Sequence, residues 1–278
     1  GREVSFKTDK IDATPGETVL HIDNLEVHDA RGVAAVKDFS LDVKAGEIVG
    51  IAGIDGNGQT ELIQGITGLT KVQSGQVVLQ GQDITNKKPR QITEAGVGHI
   101  PEDRLRFGME VDMTLSENLA LQTYYKAPLS QHGVLQADAM DKLANELVKE
   151  FDVRSAGIHV LAGSMSGGNQ QKAVIARELN RDNELVIAAQ PTRGLDVGAI
   201  EYIHQRLIDQ RNDGKAVLVV SFELDEILNL SDRIAVINAG KVVGIVDAKD
   251  TNKQELGLLM TGMSLADARA ALKEEVHA

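Results

Sequence analysis

The stretch Glu47-Ile48-Val49-Gly50-Ile51-Ala52-Gly53-Ile54-Asp55-Gly56-Asn57-Gly58-Gln59-Thr60 turns from almost wholly apolar to glycine-rich at Gly53. A short apolar run of this kind reads as a strand covered on both faces, as in a parallel sheet. From Gly53 to Thr60 the residues have the frame G-x-x-x-x-G-[K]-[ST], with Gln59 standing where the frame has lysine. A helix-forming stretch, Thr60–Ile66, follows. Strand, glycine turn and helix start together are the context in which backbone N–H groups cradle a phosphate and Thr60 can reach Mg²⁺. The alternative is a glycine turn that only joins a strand to a helix. A dinucleotide-binding turn is disfavoured, because Glu61 stands where the third glycine after Gly56 and Gly58 would be needed.

Upstream, Lys7, Asp9, Lys10 and Asp12 lead to a Pro15-Gly16 breaker, so residues 1–18 are expected to form a polar connector. A chain starting at Gly1 rather than Met is expected to be a piece of a longer one. Val19–Val27, Phe39–Val43 and Gln76–Gln80 are strand-like, and downstream Thr114–Thr123 and Ala137–Phe151 are helical. The second of these helices places Met140, Leu143, Leu147 and Phe151 on one face, as core. Leu185–Ala189 and Ala216–Val220 are strands separated by a helix that carries Ile200, Ile203, Leu207 and Ile208 in register. Glu223–Leu228 is a short helix, Ile234–Val246 a hairpin turning at Asn238–Gly240, and Leu265–Val276 a charged peripheral helix. Strands alternating with helices make an α/β domain with a largely parallel sheet, and about 114–165 is a helical insertion.

Two further stretches carry chemistry. Ser164-Met165-Ser166-Gly167-Gly168-Asn169-Gln170-Gln171-Lys172 puts a serine N-cap before two glycines. N–H groups at that helix start face outward, and a phosphate can approach a backbone without side chains. An ordinary capped helix is the alternative. Leu185 to Gln190 then runs into Pro191-Thr192-Arg193-Gly194-Leu195-Asp196, a buried strand followed by a tight turn. Taken alone, that is a strand–turn–helix in which Asp196 caps the next helix.

Composition excludes several classes. Lys and Arg number 29 against 41 Asp and Glu, a formal charge of −12 that repels phosphate backbones, so nucleic acid is not an expected partner. With five Phe, three Tyr and no Trp there is little for bases to stack on. The absence of Cys removes disulfides, thiolate zinc sites and cysteine nucleophiles, and fits a reducing compartment. Ile48–Ile54 and Ala216–Val220 are far shorter than the roughly 18 residues of a membrane span. The histidines His21, His28, His99, His132, His159, His204 and His277 show no metal-ligand spacing, so structural or surface roles are expected. Glu223, Asp225 and Glu226 begin a helix and are expected to be solvated carboxylates that favour its dipole.

Taken in order, the three stretches resemble the ATP-binding cassette (ABC) family of ATPases over about residues 19–262. Gly53 to Thr60 matches the Walker A loop, Met165 to Gln170 the family signature, Leu185 to Gln190 the Walker B strand, and Pro191 to Asp196 the D-loop. The forms SGGNQQK and PTRGLDVGA look like the importer subgroup for simple sugars and nucleosides, in which one polypeptide carries two cassettes; this chain looks like the second. The resemblance implies a P-loop-type, mostly parallel α/β core with an antiparallel β-rich N-terminal part and an inserted helical subdomain. It further implies an inter-cassette linker at 1–18, a nucleotide-binding domain at 19–262 and a helical tail at 263–278. ATP and Mg²⁺ are the implied ligands. The implied partners are a first cassette on the same polypeptide, transmembrane permease subunits and, indirectly, an extracellular substrate-binding protein, with the chain peripheral at the cytoplasmic membrane face.

Against the family pattern, Gln59 replaces the lysine of the Walker loop and Ala189 the aspartate that would hold Mg²⁺. Gln190 replaces the catalytic glutamate, Phe222 the switch histidine, and Glu102 the usual glutamine of its loop. A methyl group cannot ligate a hard cation, and an amide is a poor base where general-base catalysis contributes about 10²–10⁴ in rate. The site built on Gly53, Asp55, Gly56, Asn57, Gly58, Gln59, Thr60 and Glu61 is therefore expected to be catalytically inactive, with Thr60 its one weak metal ligand. The signature is intact. In the family each signature closes over nucleotide held by the other cassette, so Ser166, Gly167, Gly168, Asn169 and Gln170 are expected to act in trans, with Asp196 linking the two sites. A structural or regulatory cassette without catalysis, and a DNA-repair or translation ATPase, are the other classes. Long coiled-coil heptads of the repair type are missing between Thr60 and Ser164.

Overall fold

A computed structural model describes residues 10–276, and the apolar runs in it pair as strands. Residues 1–9 of the expected connector, and residues 277 and 278 with His277, lie outside the described residues. In chain order the elements begin with β1 (Thr18–His28), β2 (Ala34–Lys44), β3 (Glu47–Ala52), α1 (Gln59–Ile66), β4 (Val72–Leu79), β5 (Gln82–Asp83), α2 (Pro89–Glu94) and β6 (Val97–Ile100). A middle section follows with α3 (Leu115–Ala120), β7 (Ser130–Gln131), β8 (Val134–Leu135), α4 (Ala137–Glu150) and α5 (Gly167–Leu179). Alternation then returns with β9 (Leu185–Ala189), α6 (Val197–Asn212), β10 (Ala216–Val220), α7 (Leu224–Leu230), β11 (Arg233–Asn238), β12 (Lys241–Asp247), α8 (Lys253–Met260) and α9 (Leu265–Val276).

The chain divides into two compact units. One comprises the residues up to Val97, Asn183–Gln190 and those from His204 onward; the other comprises Gly98–Asp182 and Pro191–Ile203. In the first unit β2-β1-β4-β5 form an antiparallel sheet. A second sheet has the order β12-β11-β3-β10-β9-β6. Its strand β3 is parallel to both neighbours, Val49 facing Leu218 and Arg233, and the hairpin strand β12 runs antiparallel to β11. All six residues of β3 are buried, as the unbroken apolar run predicts.

Alternation along these strands sorts their side chains. Val49 and Ile51, Leu185 and Ile187, and Leu218 and Val220 join one core cluster with Leu62 and Ile66 of α1 and Leu20, Leu25, Val36 and Phe39 of the antiparallel sheet. Truncating one such side chain to alanine costs about 2–5 kcal/mol. The opposite side of β3 holds Gly50, where a Cβ would collide with Ser231 Oγ and lie 3.1 Å from Ile227 Cγ2. That glycine lets the end of α7 lie directly on the strand.

The fold agrees with the α/β expectation: parallel core, antiparallel N-terminal sheet and helical subdomain. In the second unit Leu147 and Phe151 are buried and Met140 and Leu143 half-buried, so the apolar stripe of α4 is core. One expectation fails. Asp225 is solvated and pairs with Lys253 at 2.7 Å, but Glu226 is 5% exposed and its Oε1 lies 2.8 Å from Nε2 of His204, itself 1% exposed. Helix-dipole reasoning places acids at a helix start but says nothing of which face meets a neighbouring helix. Among the described residues no helix is long and apolar enough to cross a membrane.

His99, in the second unit, is held neutral. Burial lowers its pKa from 6.5 to about 4, against the opposing pull of Glu178. Because the folded-state pKa is depressed, the stability this histidine contributes is complete above pH 6.5 and is lost as pH falls towards 4. Urea titrations between pH 7 and pH 4 should show a loss that His99→Gln reduces by up to about 3 kcal/mol; an unchanged pH slope in the variant would contradict it.

Candidate functional site

In the first unit, three adjacent parallel strands, β3, β10 and β9, end on one edge, the place where open α/β sheets bind ligands. The loop Gly53–Gly58 leaves β3, Ser221-Phe222 leaves β10, and Ala189-Gln190 ends β9. Gly58 has φ 101°, and a Cβ there would strike the Ala35 carbonyl, so only glycine can start α1 here. No side chain caps this helix, which leaves its first-turn N–H groups for water or an anion.

Two contacts set the shape of the loop. Asn57 accepts from Ala239 N through Oδ1 at 2.9 Å and from Gly240 N through its carbonyl at 3.1 Å, so the β11–β12 turn grips the loop. Gln59 is 3% exposed and folds inward, donating from Nε2 to the Ile54 carbonyl at 3.2 Å. A Cβ on Gly53 would lie 2.5 Å from that Nε2, so the Gln59 amide lies against Gly53. Asp55 and Gly56 are exposed, and Asn57, Thr60 and Glu61 are half-buried.

Gln190 adopts φ 47° and is 5% exposed. Its Oε1 accepts from Phe222 N at 3.3 Å, while its buried Nε2 has no hydrogen-bond partner in the protein. This corner of the site therefore presents an amide donor and, at Ala189, a buried methyl group. Neither can ligate Mg²⁺ or accept a proton at neutral pH. Among the described residues no group of three or more His, Asp or Glu is placed to hold a metal. The chemistry of this donor set, a methyl group and an amide, does not fit Mg²⁺.

The second unit brings together Ser166, Gly167, Gly168, Asn169, Gln170 and Asp196, and it also contains Glu102, which is half-buried. Helix α5 begins at Gly167, two residues earlier than the Asn169 start expected from the sequence, with Ser166 at the N-cap. The two glycines differ. Beside Gly167 the space is filled, since a Cβ would lie 2.5 Å from an Arg104 guanidinium nitrogen. Gly168 is open: a Cβ there would meet Asp196 Oδ2 at 3.8 Å and Ala199 Cβ at 4.0 Å, ordinary contact distances. A cavity of about 330 Å³ opens here, lined by Ser166, Gly168, Asn169, Lys172, Asp196 and Arg154 among others. Asp196 also caps α6, accepting from Ala199 N at 3.0 Å, so the capping role and a place beside the signature coexist.

The supports of this loop were not legible in its motif. Gln170 is buried, donating to the Ala162 carbonyl at 3.0 Å and accepting from Arg104 Nε at 3.4 Å. Gln171 donates to the Pro191 carbonyl at 2.9 Å, tying α5 to the turn that leads to Asp196. Lys172 bonds Asp152 at 2.8 Å, which holds that carboxyl below its usual range, and packs over the Tyr202 ring at 4.7 Å. The one available signal was Arg104, two residues from Glu102 in the same short stretch.

The grip of the hairpin turn on the first loop has a measurable consequence. Asn57→Ala removes the acceptor for Ala239 N and should cost about 1 kcal/mol, lowering the melting temperature by about 2–4 °C. A melting temperature unchanged within error would show that the turn holds without it.

Comparison with known proteins places this architecture. The ABC transporter family profile matches residues 36–193. The nucleoside import ATP-binding protein NupA of Lactococcus lactis subsp. cremoris (strain MG1363) is 62% identical over 262 residues, 94% of this chain and 52% of that protein. The guanosine import ATP-binding protein NupO of Bacillus subtilis (strain 168) is 57% identical over 271 residues, 98% of this chain and 53% of its own length. The chain thus spans about half the length of these curated relatives. Among solved structures, the dimeric bacterial ABC transporter cassette MJ0796 superposes with a TM-score of 0.71 at 25% identity, covering 84% of this chain and 100% of that one. A profile match over more than half of its residues, on a fold shared with that cassette, makes this chain a member of the ABC transporter family.

Proposed function

We propose that this chain is the second ATP-binding cassette of a nucleoside importer, one that completes an ATP site on its partner while its own Walker face stays catalytically inactive. One contrast within the chain carries the proposal. The signature loop keeps an open helix start beside Ser166, Gly168 and Asp196, while Gln59, Ala189, Gln190 and Phe222 leave the Walker face without the family's cation, metal-holding carboxylate and base, Thr60 being its one weak metal ligand. Phosphoryl transfer depends on positioning and electrostatic stabilisation, and those are the groups replaced. A neutral amide at Gln59 makes hydrogen bonds roughly half as strong as a charged donor would.

In this account the first cassette of the same polypeptide holds ATP and Mg²⁺ in its own Walker loops, and Mg²⁺ there offsets phosphate charge. This chain's part is to present the Ser166 hydroxyl and the backbone N–H groups at the start of α5 to the γ-phosphate. Asp196, whose Oδ2 a Cβ on Gly168 would meet at 3.8 Å, is assigned the task of passing closure of one site to the other. Relatives spanning about twice this length support two cassettes per polypeptide, and the nucleoside and guanosine import roles of NupA and NupO support a nucleoside over a simple sugar as cargo. Transmembrane permease subunits and, indirectly, an extracellular substrate-binding protein complete the assembly, with this chain peripheral at the cytoplasmic membrane face.

ATP turnover separates the proposal from a purely structural cassette. The chain alone should be inactive, mixing with its separately produced first cassette should raise turnover at least about tenfold above either part, and Ser166→Arg should abolish that gain, general-base and positional effects being of this size or larger. Robust turnover by the chain alone, or a gain untouched by Ser166→Arg, would overturn it.

A further inference from the structure

We infer that Asn169 is a positioning residue that sets the direction of the Ser166 hydroxyl, so that Ser166 meets a phosphate as a donor; this rests on the signature acting as proposed above. The chain of bonds begins at a group whose role is fixed. The Arg154 backbone N–H can only donate, and its partner is Asn169 Oδ1 at 2.7 Å. That assigns the two ends of the Asn169 amide: oxygen towards Arg154, nitrogen towards Ser166. Asn169 Nδ2 carries only hydrogens and lies 2.9 Å from Ser166 Oγ, so the serine oxygen is the acceptor in that bond. A hydroxyl has one hydrogen of its own, and it must point elsewhere.

The helix does not claim it. A serine at the N-cap normally accepts from a first-turn N–H, turning its oxygen over the helix end and withdrawing that N–H from any ligand. Ser166 makes no such bond. Held by a side chain instead, it leaves both its own hydrogen and the first-turn N–H groups directed to the cavity it lines with Gly168 and Asp196. The arrangement therefore converges donors on one place, which is what an anion requires. Asn169 itself has both amide ends engaged within the chain, so its contribution runs through Ser166.

Asn169→Asp separates orientation from shape. A carboxylate of the same size still accepts from Arg154 N, but it cannot donate. Ser166 would then give its hydrogen to residue 169 and turn lone pairs towards the phosphate. The test measures kcat/KM for ATP in the full-length polypeptide with its permease subunits, together with melting temperature. Ser166→Ala and Asn169→Ala should each lower kcat/KM about five- to tenfold, and the double variant should fall no further than Ser166→Ala alone. Asn169→Asp should lose at least as much as Asn169→Ala with an unchanged melting temperature, and it carries the test if Asn169→Ala folds poorly. Two results would overturn the inference while Ser166→Ala still impairs turnover: full activity of Asn169→Ala and Asn169→Asp, or an Asn169→Ala loss that multiplies with that of Ser166→Ala. If Ser166→Ala and Ser166→Arg both left turnover intact, the trans role of the signature would fail, and the inference with it.

Discussion

Parallel pairing of β3 between β10 and β11 is the constraint on which the first unit depends. Its six buried residues fix the strand in the centre of the sheet, and Gly50 admits the end of α7 so closely that no side chain could stand there. From that fixed strand the chain must turn into α1 without a clash at Ala35, which only Gly58 at positive φ permits. The β11–β12 turn then holds Asn57 from the other side. The backbone course of the loop thus follows from sheet packing and glycine sterics, with the Gln59 amide bonded to the Ile54 carbonyl inside it.

In the proposed function the shape of a phosphate loop and its chemistry separate. The backbone of Gly53–Gly58 is built by burial and glycine sterics, whereas rate acceleration needs charge and a base. On that proposal Gln59, Ala189, Gln190 and Phe222 alter the second set. Each is compatible with the strands that end there: Ala189 is buried in the sheet, and Gln190 bonds the Phe222 amide. In the second unit the reverse holds. A serine, a glycine and an aspartate remain around an open helix start, and the residues that shape it, Arg104, Asn169, Gln171 and Lys172, are tied down by hydrogen bonds within that unit.

Periodicity made much of this architecture legible before any coordinates. The six-residue run of β3, the Leu185–Ala189 and Ala216–Val220 strands, the hairpin at Asn238–Gly240 and the stripe on α4 all follow from which residues avoid water. Short elements were missed, namely β5, α2, β6, the β7–β8 pair and α8, because two to eight residues give periodicity too little length to declare itself. The burial of Glu226 against His204 was missed for another reason: it is a pairing of distant helices, invisible to local dipole arguments. At the signature, the motif gave the glycines but not their different tasks. Gly167 makes room for Arg104, and Gly168 stays open. Such a division depends on neighbours distant in the chain, Arg104 for Gly167 and Asp196 with Ala199 for Gly168.

The central claim is that this chain contributes a phosphate clamp to a site whose nucleotide belongs to another cassette. Vanadate trapping of radiolabelled ATP in the assembled transporter, followed by photo-crosslinking and peptide mapping, locates the nucleotide that has been turned over. Label should be trapped on the Walker loop of the first cassette, and Ser166→Arg in this chain should prevent the trapping. Trapped label on Gly53–Thr60 of this chain, or trapping indifferent to Ser166, would contradict the account.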